Sequence, residues 1–319
     1  MNEILENLHA ATRVVILPHV NPDWDTVGSS FALAEHLRNI GKEVYVIFEE
    51  APGTVLRFLG GKWSTRHDPL PDPPYLSVAV DCGAEDMLGE RQSIFSAGDT
   101  KIVIDHHGTN EGYGDLCYVD SKAAAVGEIM TDLLLLDGTL SPSMASFLYT
   151  AILTDTGGFR FSNTTPKTMR TAALLMEAGA NSAEICTSIY ENQSLLSFRI
   201  TARAVDKLKL LHNGKTALIV FDQTDMDELG ARSEDTDNLS GLGRSIEGVE
   251  VSISAKPQRG GYKVSLRSKH FVDVAAIAKA FRGGGHQKAA GFFIEGAFSS
   301  IEHVLLAAVE TAYRKGPRV

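Results

Sequence analysis

Cysteine is scarce in this chain: Cys82, Cys117 and Cys186 are an odd number, widely spaced, with no C-x-x-C pair. That excludes a disulfide framework and reads as free thiols in a reducing compartment. Long apolar runs are missing as well. The longest purely aliphatic stretch, LLLL at 133–136, is far short of the roughly 20 residues a spanning helix needs. Basic charge is in deficit, with 30 Lys and Arg against 40 Asp and Glu, a net charge of −10. A surface that grips long duplex nucleic acid is therefore not expected, although a local metal cluster or basic pocket still suits a small anion. The opening MNEILENLHAATR has acidic residues where a signal peptide carries basic ones. These absences predict a cytoplasmic chain with no membrane association. Repeats and low-complexity tracts are also absent.

What is present is an ordinary globular composition, 44% hydrophobic and 22% charged over 319 residues, a length that suits two domains. The first half alternates between strands and helices. Strand-like runs are RVVIL (13–17), EVYVIF (43–48), YLSVAV (75–80) and KIVID (101–105). Helical patterns cover 27–39, 54–59, 89–97, 122–136, 143–153 and 166–178. Continuous apolar strands separated by helices predict a parallel sheet covered on both faces, the α/β class. From Ser182 to about Leu211 the pattern is helical, with Asn192-Gln193 as a break. The last third changes rhythm, with strands at 216–221, 249–255, 262–268 and 291–295 and helices near 224–230, 273–281 and 299–313. QRGG at 258–261 reads as a hairpin turn. The expected division is residues 1–181, a connecting helical segment 182–205, and a smaller α+β domain 206–319.

Three of the four strands in the first half lead into metal-ligating side chains. RVVIL is followed by His19, Asp23 and Asp25, YLSVAV by Asp81, and KIVI by Asp105, His106 and His107, while the helix at 143–153 runs into Asp155. Each piece alone has a plain structural reading. NPDWD can be a turn whose Asp23 or Asp25 caps the next helix, DHH a surface cluster, and Asp81 a cap. Together they lie where loops converge beyond the carboxyl ends of a parallel sheet, which makes coincidence a poor account. Several carboxylates share a crevice at neutral pH only when cations or protons neutralise them. Carboxylates with a few imidazoles favour Mn²⁺ or a similar divalent ion, Mg²⁺ and Co²⁺ being alternatives, and about six ligands leave room for two ions.

HVNPDWD, DCG, DHH with the following GTN, and TDTGGF resemble, in order and spacing, the four motifs of the DHH phosphoesterase superfamily. GGGHQKAAG (283–291), with SLRSK (265–269) before it, is similar to the accessory DHHA1 domain. In size and domain order the chain is most similar to the stand-alone nanoRNase/pAp phosphatase group. The resemblance implies a DHH catalytic domain, a connecting helix and a DHHA1 substrate-binding domain. It implies that His19 and Asp23 hold one metal and Asp25 the other, with Asp81 bridging. His106 and Asp155 would complete the second site. His107 would face the substrate phosphate, and Asp105 would orient the histidines. The implied reaction is metal-dependent hydrolysis of short RNA or DNA oligonucleotides or linear dinucleotides to mononucleotides, with pAp to AMP as a second activity. A cyclic di-AMP or linear dinucleotide phosphodiesterase is the alternative within that chemistry. A catalytically silent nucleotide sensor is the alternative outside it. A homodimer is compatible with the family.

The chain departs from the family pattern twice. Trp24 stands between the two first-motif aspartates where small residues are common, and either packs or narrows the crevice. Arg282 stands where the glycine run normally begins. Gly283, Gly284 and Gly285 would expose backbone N–H groups to an anion, with His286 beside them and Arg267 as a bidentate phosphate contact. The spacing matches neither a Walker loop nor a dinucleotide fingerprint.

Overall fold

Apolar strands with ligand-bearing ends need helices on both sides, and the computed structural model shows how they are supplied. It describes residues 1–53, 56–236, 239–258 and 260–315, without the side chains of Leu56, Arg57, Glu234, His286 and Lys315. The chain divides into two units, Met1–Asn192 and Gln193–Val319. The first runs Asn2–Ala10 (α1), Arg13–Pro18 (β1), Trp24–Asn39 (α2), Glu43–Phe48 (β2), Ser64–Thr65 (β3) and Leu76–Val80 (β4). Gln92–Ser96 (α3), Thr100–Asp105 (β5), Leu116–Val119 (β6), Val126–Asp137 (α4), Pro142–Asp155 (α5), Pro166–Glu177 (α6) and Ser182–Cys186 (α7) follow.

All six strands of this unit are parallel, in the order β3-β2-β1-β4-β5-β6. The chain winds outward from β1 to β3, then returns to build β4 to β6 on the other side. The reversal falls between β1 and β4, and crevices at such switch points are where α/β sheets bind ligands. Alternate side chains serve two cores, as a period of two requires. Val14, Ile16, Val78, Val80, Ile102 and Ile104 pack with α1, α2, α4, α5 and α6. Val15, Leu17, Ala79 and Val103 pack with Leu88, Ile94 and Phe95 on the opposite face.

Two glycines let helices close on the one that carries Asp155. A Cβ on Gly28 of α2 would sit 2.4 Å from the Phe147 carbonyl oxygen, and one on Gly127 of α4 would meet the Ala151 Cβ at 2.7 Å. Both helices therefore touch α5, whose last residue is Asp155. Gly41, at φ +84°, ends α2 in the left-handed region.

The second unit contains Leu195–Lys207 (α8), Lys209–Leu211 (β7), Thr216–Val220 (β8), Gln223–Leu229 (α9), Leu239–Arg244 (α10), Val251–Gln258 (β9) and Gly261–Ser268 (β10). Val274–Ala280 (α11), Gly284–His286 (β11), Ala289–Glu295 (β12) and Glu302–Lys315 (α12) complete it. Its sheet has the order β11-β12-β10-β9-β8-β7, antiparallel except for the β8–β9 pair. Val264, Leu266, Ile253, Ile277 and Leu305 form one core, while Ile200 and Ala204 of α8 pack with Ile219, Phe221 and Met226 in another.

Several expectations shift. The first ligand-bearing helix begins at Trp24, not residue 27, because the Asp23 side chain caps it. Residues 209–211 are strand, not helix, and the helical run breaks after a π-turn at Thr187–Glu191, with Ser194 capping α8. The helix expected at 89–97 shortens to α3, preceded by a 3-10 turn over Glu85–Arg91. Thr54 and Val55 of the expected 54–59 helix lie outside the described residues, and Leu56–Leu59 is a 3-10 turn. Arg259 of the 258–261 turn also lies outside them. α1, β3, β6, β7 and β11 are elements that periodicity did not reveal.

Candidate metal centre

Every candidate ligand of the first unit sits at the carboxyl edge of its sheet or at a helix end facing that edge. His19 follows β1 directly, Asp81 follows β4, Asp105 ends β5 and His106 and His107 come next. Asp23 is the N-cap of α2, Asp25 lies in that helix's first turn, and Asp155 closes α5.

Asp81 is the centre of the group. It is buried, and its backbone is held at φ +61° with its N–H bonded to the Ile104 carbonyl at 2.9 Å. A left-handed aspartate is uncommon and marks a constrained position. Its Oδ1 is buried without a hydrogen-bond partner among the described residues. That oxygen lies 3.7 Å from His106 Nε2 and 3.5 Å from His107 Nδ1, while Oδ2 lies 3.7 Å from His19 Nε2. These gaps are too long for hydrogen bonds. The His19 and His106 gaps are near those of donors sharing a cation, since bonds of roughly 2.1 Å leave neighbouring donors about 3–3.5 Å apart, whereas His107 Nδ1 is taken by Asp105 at 2.7 Å.

The imidazoles are set for ligation by their far nitrogens. His19 Nδ1 donates to the Val20 carbonyl at 2.6 Å, and His106 Nδ1 faces the Ala123 carbonyl at 3.3 Å. A carbonyl only accepts, so each bond puts the proton on Nδ1 and leaves an Nε2 lone pair toward the carboxylates. His19 Nε2 is 3.7 Å from Asp23 Oδ1; His106 Nε2 is 4.0 Å from Asp25 Oδ2 and 3.9 Å from Asp155 Oδ2. Donor atoms of His19, Asp23 and Asp81 form one set close enough to share an ion. Those of Asp25, His106 and Asp155 form a second, and those of Asp81, His106 and His107 a third. The orphaned Asp81 oxygen and the donor chemistry thus fit divalent cations.

The electrostatics agree. Burial first, then the charges of Asp25, Asp23 and Asp155, push the Asp81 carboxyl well above its usual range. Burial, Asp25 and Asp23 do the same to Asp155. Burial also raises Asp25, against the pull of His106. Asp23 is the exception: desolvation by the surrounding protein raises it, but His19 and the N–H groups of Thr26 and Asp25 bring it down to about 2. Without a cation the pocket is a cluster of carboxylates resisting ionisation, which is the imbalance a bound dication removes.

Asp25 has a structural duty as well. Its Oδ2 accepts from Val126 N–H at 2.7 Å and its Oδ1 from Gly127 N–H at 2.8 Å, so it caps α4 from a distant part of the chain. Asp23 caps α2 and Asp25 caps α4, and each also contributes a donor atom to one of the candidate metal sets. Because the segment is helical, Asp23 and Asp25 do not share a strand face; Asp23 is over half exposed and Asp25 fully enclosed. Trp24 between them packs on Phe58, ring centroids 5.1 Å apart and planes at 59°.

Asp105 accepts from His107 Nδ1 at 2.7 Å and from Asn110 Nδ2 at 2.7 Å. Burial pulls its carboxyl up, and the His107 and Asn110 hydrogen bonds leave it below the ordinary range. Asn110 also donates to the Cys82 carbonyl at 3.1 Å. Gly83 permits the fit, since a Cβ there would stand 3.1 Å from His107 Cβ. Sequence reasoning quoted Asn110 within GTN without assigning it a task. It missed Asn163, which holds the Asp155 carbonyl at 3.2 Å and the Ala124 carbonyl at 2.9 Å. Its place eight residues after Asp155 was the only available signal.

In the second unit the expected glycine loop is partly an edge strand. β11 pairs with β12, and Arg267, Ala289 and His286 occupy one row across three strands. A Cβ on Gly283 would lie 2.2 Å from the Gly291 carbonyl oxygen, and one on Gly285 (φ +131°) 2.5 Å from that of Ala289. These two glycines are required by their own sheet; only Gly284 has open space. Arg267 Nη1 donates to the Leu266 carbonyl at 3.0 Å. Arg282, at φ +60°, ends α11 in the left-handed conformation that glycine usually fills.

A doubly wound parallel sheet carrying a carboxylate–imidazole pocket at its switch point, followed along the chain by a smaller mixed-sheet unit, is a two-domain α/β architecture with a site suited to divalent cations. The chain belongs to the DHH family: the DHH family N-terminal domain matches residues 13–152 and the DHHA1 domain residues 213–314. It is 36% identical over 309 residues to the bifunctional oligoribonuclease and PAP phosphatase NrnA of Thermus thermophilus, covering 95% of this chain and 91% of that protein. The protein of the same name from Bacillus subtilis is 27% identical, with 91% of each chain covered. Among solved structures, an exopolyphosphatase-related protein from Bacteroides fragilis superposes with a TM-score of 0.86 at 24% identity, over 98% of this chain and 95% of that one. That likeness concerns the fold. No described helix is long and apolar enough to cross a membrane.

Proposed function

We propose that this chain is a metal-dependent phosphoesterase that hydrolyses short oligonucleotides and linear dinucleotides to mononucleotides, with pAp as a second substrate and Mn²⁺ as the working ion. The observation that carries the reading is the Asp81 carboxylate, buried with an unpartnered oxygen and ringed by His19, His106 and His107. His19, Asp23 and Asp81 would hold one ion, and Asp25, His106 and Asp155, with Asp81 shared, the other. Divalent ions held there supply Lewis-acid neutralisation of phosphoryl charge and an acidified water nucleophile. His107, its tautomer set by Asp105, contacts the substrate phosphate through its other nitrogen. No side-chain nucleophile is needed, and Cys82 is buried among Leu88, Phe95 and other apolar side chains. In the second unit, Arg267 and the open backbone at Gly284 contribute a nucleotide-phosphate contact. The names of the relatives support the substrate class.

A substrate panel tests this reading: pApA, pGpG, pAp, cyclic di-AMP, a 5-mer and a 24-mer single strand, each with Mn²⁺, Mg²⁺, Co²⁺ or chelator. The expected pattern is fast hydrolysis of the dinucleotides and the 5-mer, measurable release of phosphate from pAp, slow action on the 24-mer and none in chelator. Faster cleavage of the 24-mer, or full activity in chelator, rejects the reading.

A further inference from the structure

Trp24 lies in the chain between two candidate ligands, Asp23 and Asp25, and its ring packs on that of Phe58. Trp24 is half-buried and Phe58 is 41% exposed, and among the described residues neither is a member of the clusters that hold the sheet and its helices. The other tryptophan, Trp63, packs against the first of these clusters, 6.1 Å from the ring of Phe48. Trp24 cannot be displaced far from the carboxylates. Asp23 caps the helix on one side of it, and on the other Asp25 is bonded to Val126, Gly127 and Ser29. An aromatic edge is thereby fixed within one residue of two candidate metal ligands. The two rings pack on each other, centroids 5.1 Å apart, and Phe58 keeps part of its surface open to a further flat group.

We propose that Trp24 and Phe58 form a stacking platform for the nucleobase next to the scissile phosphate, making base-bearing substrates preferred over phosphoesters that lack a base. This rests on the phosphoesterase reading above and names a specificity determinant within it. The occupant follows from the neighbourhood. The acidic, cation-suited pocket takes the phosphate, so the group just beyond it in a nucleotide is a ribose bearing a flat base. A flat base stacks on an aromatic face whatever its sequence identity. Trp24 is a positioning residue for that base and takes no part in the bond that breaks.

The test compares pApA with the corresponding dinucleotide backbone lacking both bases, in the wild type, Trp24→Ala, Trp24→Phe and Phe58→Ala. Trp24→Ala is expected to raise KM for pApA by about 5- to 100-fold, the range typical for loss of one stacked base. It should also collapse the preference for pApA over the abasic substrate, which Trp24→Phe restores. A second readout needs no turnover: AMP should quench tryptophan fluorescence in the wild type and in Trp63→Phe, but not in Trp24→Phe. An unchanged substrate preference in Trp24→Ala, or AMP without effect on fluorescence, overturns the proposal. If Trp24→Ala fails to fold, the fluorescence arm decides. Hydrolysis by the wild type with no base preference rejects the platform and leaves the phosphoesterase reading standing. Quenching by AMP with no hydrolysis of any phosphoester does the reverse.

Discussion

The first unit holds two clusters of the same residue types, and they differ in spacing. At the far end of α4, Asp137 accepts from His9 Nε2 at 2.6 Å through one oxygen and from His36 Nε2 at 2.6 Å through the other. At the carboxyl edge of the sheet only His107 and Asp105 close on each other, at 2.7 Å; the remaining imidazole and carboxylate atoms stand 3.5–4.0 Å apart, and Asp81 keeps an oxygen with no partner among the described residues. The first cluster is closed on itself and ties α1 to α2 and α4. The second is held open by backbone carbonyls, helix ends and second carboxylates. Residue identity does not separate a structural histidine pair from a ligand set; the distance at which the fold holds the atoms does.

The largest way to break the comparison is Asp81→Asn. Turnover with Mn²⁺ should fall by at least about a thousandfold, the scale of several kcal/mol of lost transition-state charge stabilisation. In chelator the same variant should melt at a higher temperature than the wild type. The Asp81 carboxyl lies above its unfolded value, so at neutral pH its ionisation works against folding, and asparagine removes that cost. Near-normal turnover in Asp81→Asn rejects the central role given to that residue.

Metal titration is the next largest test. Mn²⁺ at about 100 times its dissociation constant should stabilise the native state by about 2.7 kcal/mol, seen as a raised Tm that chelator reverses. Asp81→Asn should lose most of that shift, while Asp137→Asn should keep it. An equal shift in both variants would mean that the ions bind elsewhere.

Asp105→Asn should lower turnover by about 10- to 100-fold while leaving Mn²⁺ stabilisation largely in place, because it loosens His107 and removes no proposed ligand. Its thermal shift and its kinetics, measured together, separate orientation from ligation.

Asp137→Asn should cost about 1–2 kcal/mol of stability, the scale of lost charge-assisted hydrogen bonds, with turnover within about twofold of wild type. Burial pulls the Asp137 carboxyl upward, but His36 and His9 hold it below its ordinary value. A depressed carboxyl stabilises the fold above its unfolded pKa, about 3.9. That contribution is lost as pH falls through the lower folded value. The difference in Tm between wild type and Asp137→Asn should therefore be full near pH 6 and shrink below about pH 4.

Much of this was legible in the linear chain, and the residues show why. β1, β2, β4 and β5 read clearly because each carries at least three consecutive apolar residues that the fold buries. β6 did not: LCYV lies at the sheet edge with exposed positions alternating. β11 did not either, since three residues of Gly-Gly-His carry no hydrophobic signal and become a strand only through pairing with β12. Trp24 as the first helical residue was hidden because an acidic N-cap looks like a turn until its carboxylate is seen to accept two backbone N–H groups. The three-glycine run looked like one device for one ligand, whereas contacts show Gly283 and Gly285 serving the sheet and only Gly284 left open.

The order of residues is enough to say which atoms are available: strands apolar enough to be buried, and carboxylates and imidazoles placed where those strands end. Local order along the chain suffices for that, because burial periodicity and caps act over a few residues. Which of those atoms meet is decided by tertiary packing, which leaves one Asp81 oxygen beside His106 and His107 without a partner among the described residues while closing Asp137 on His9 and His36. That choice depends on β1 lying beside β4, on Gly28 and Gly127 letting α5 approach, and on Asp25 capping a helix a hundred residues away. Contacts of that range form only when the whole sheet and its helices pack together.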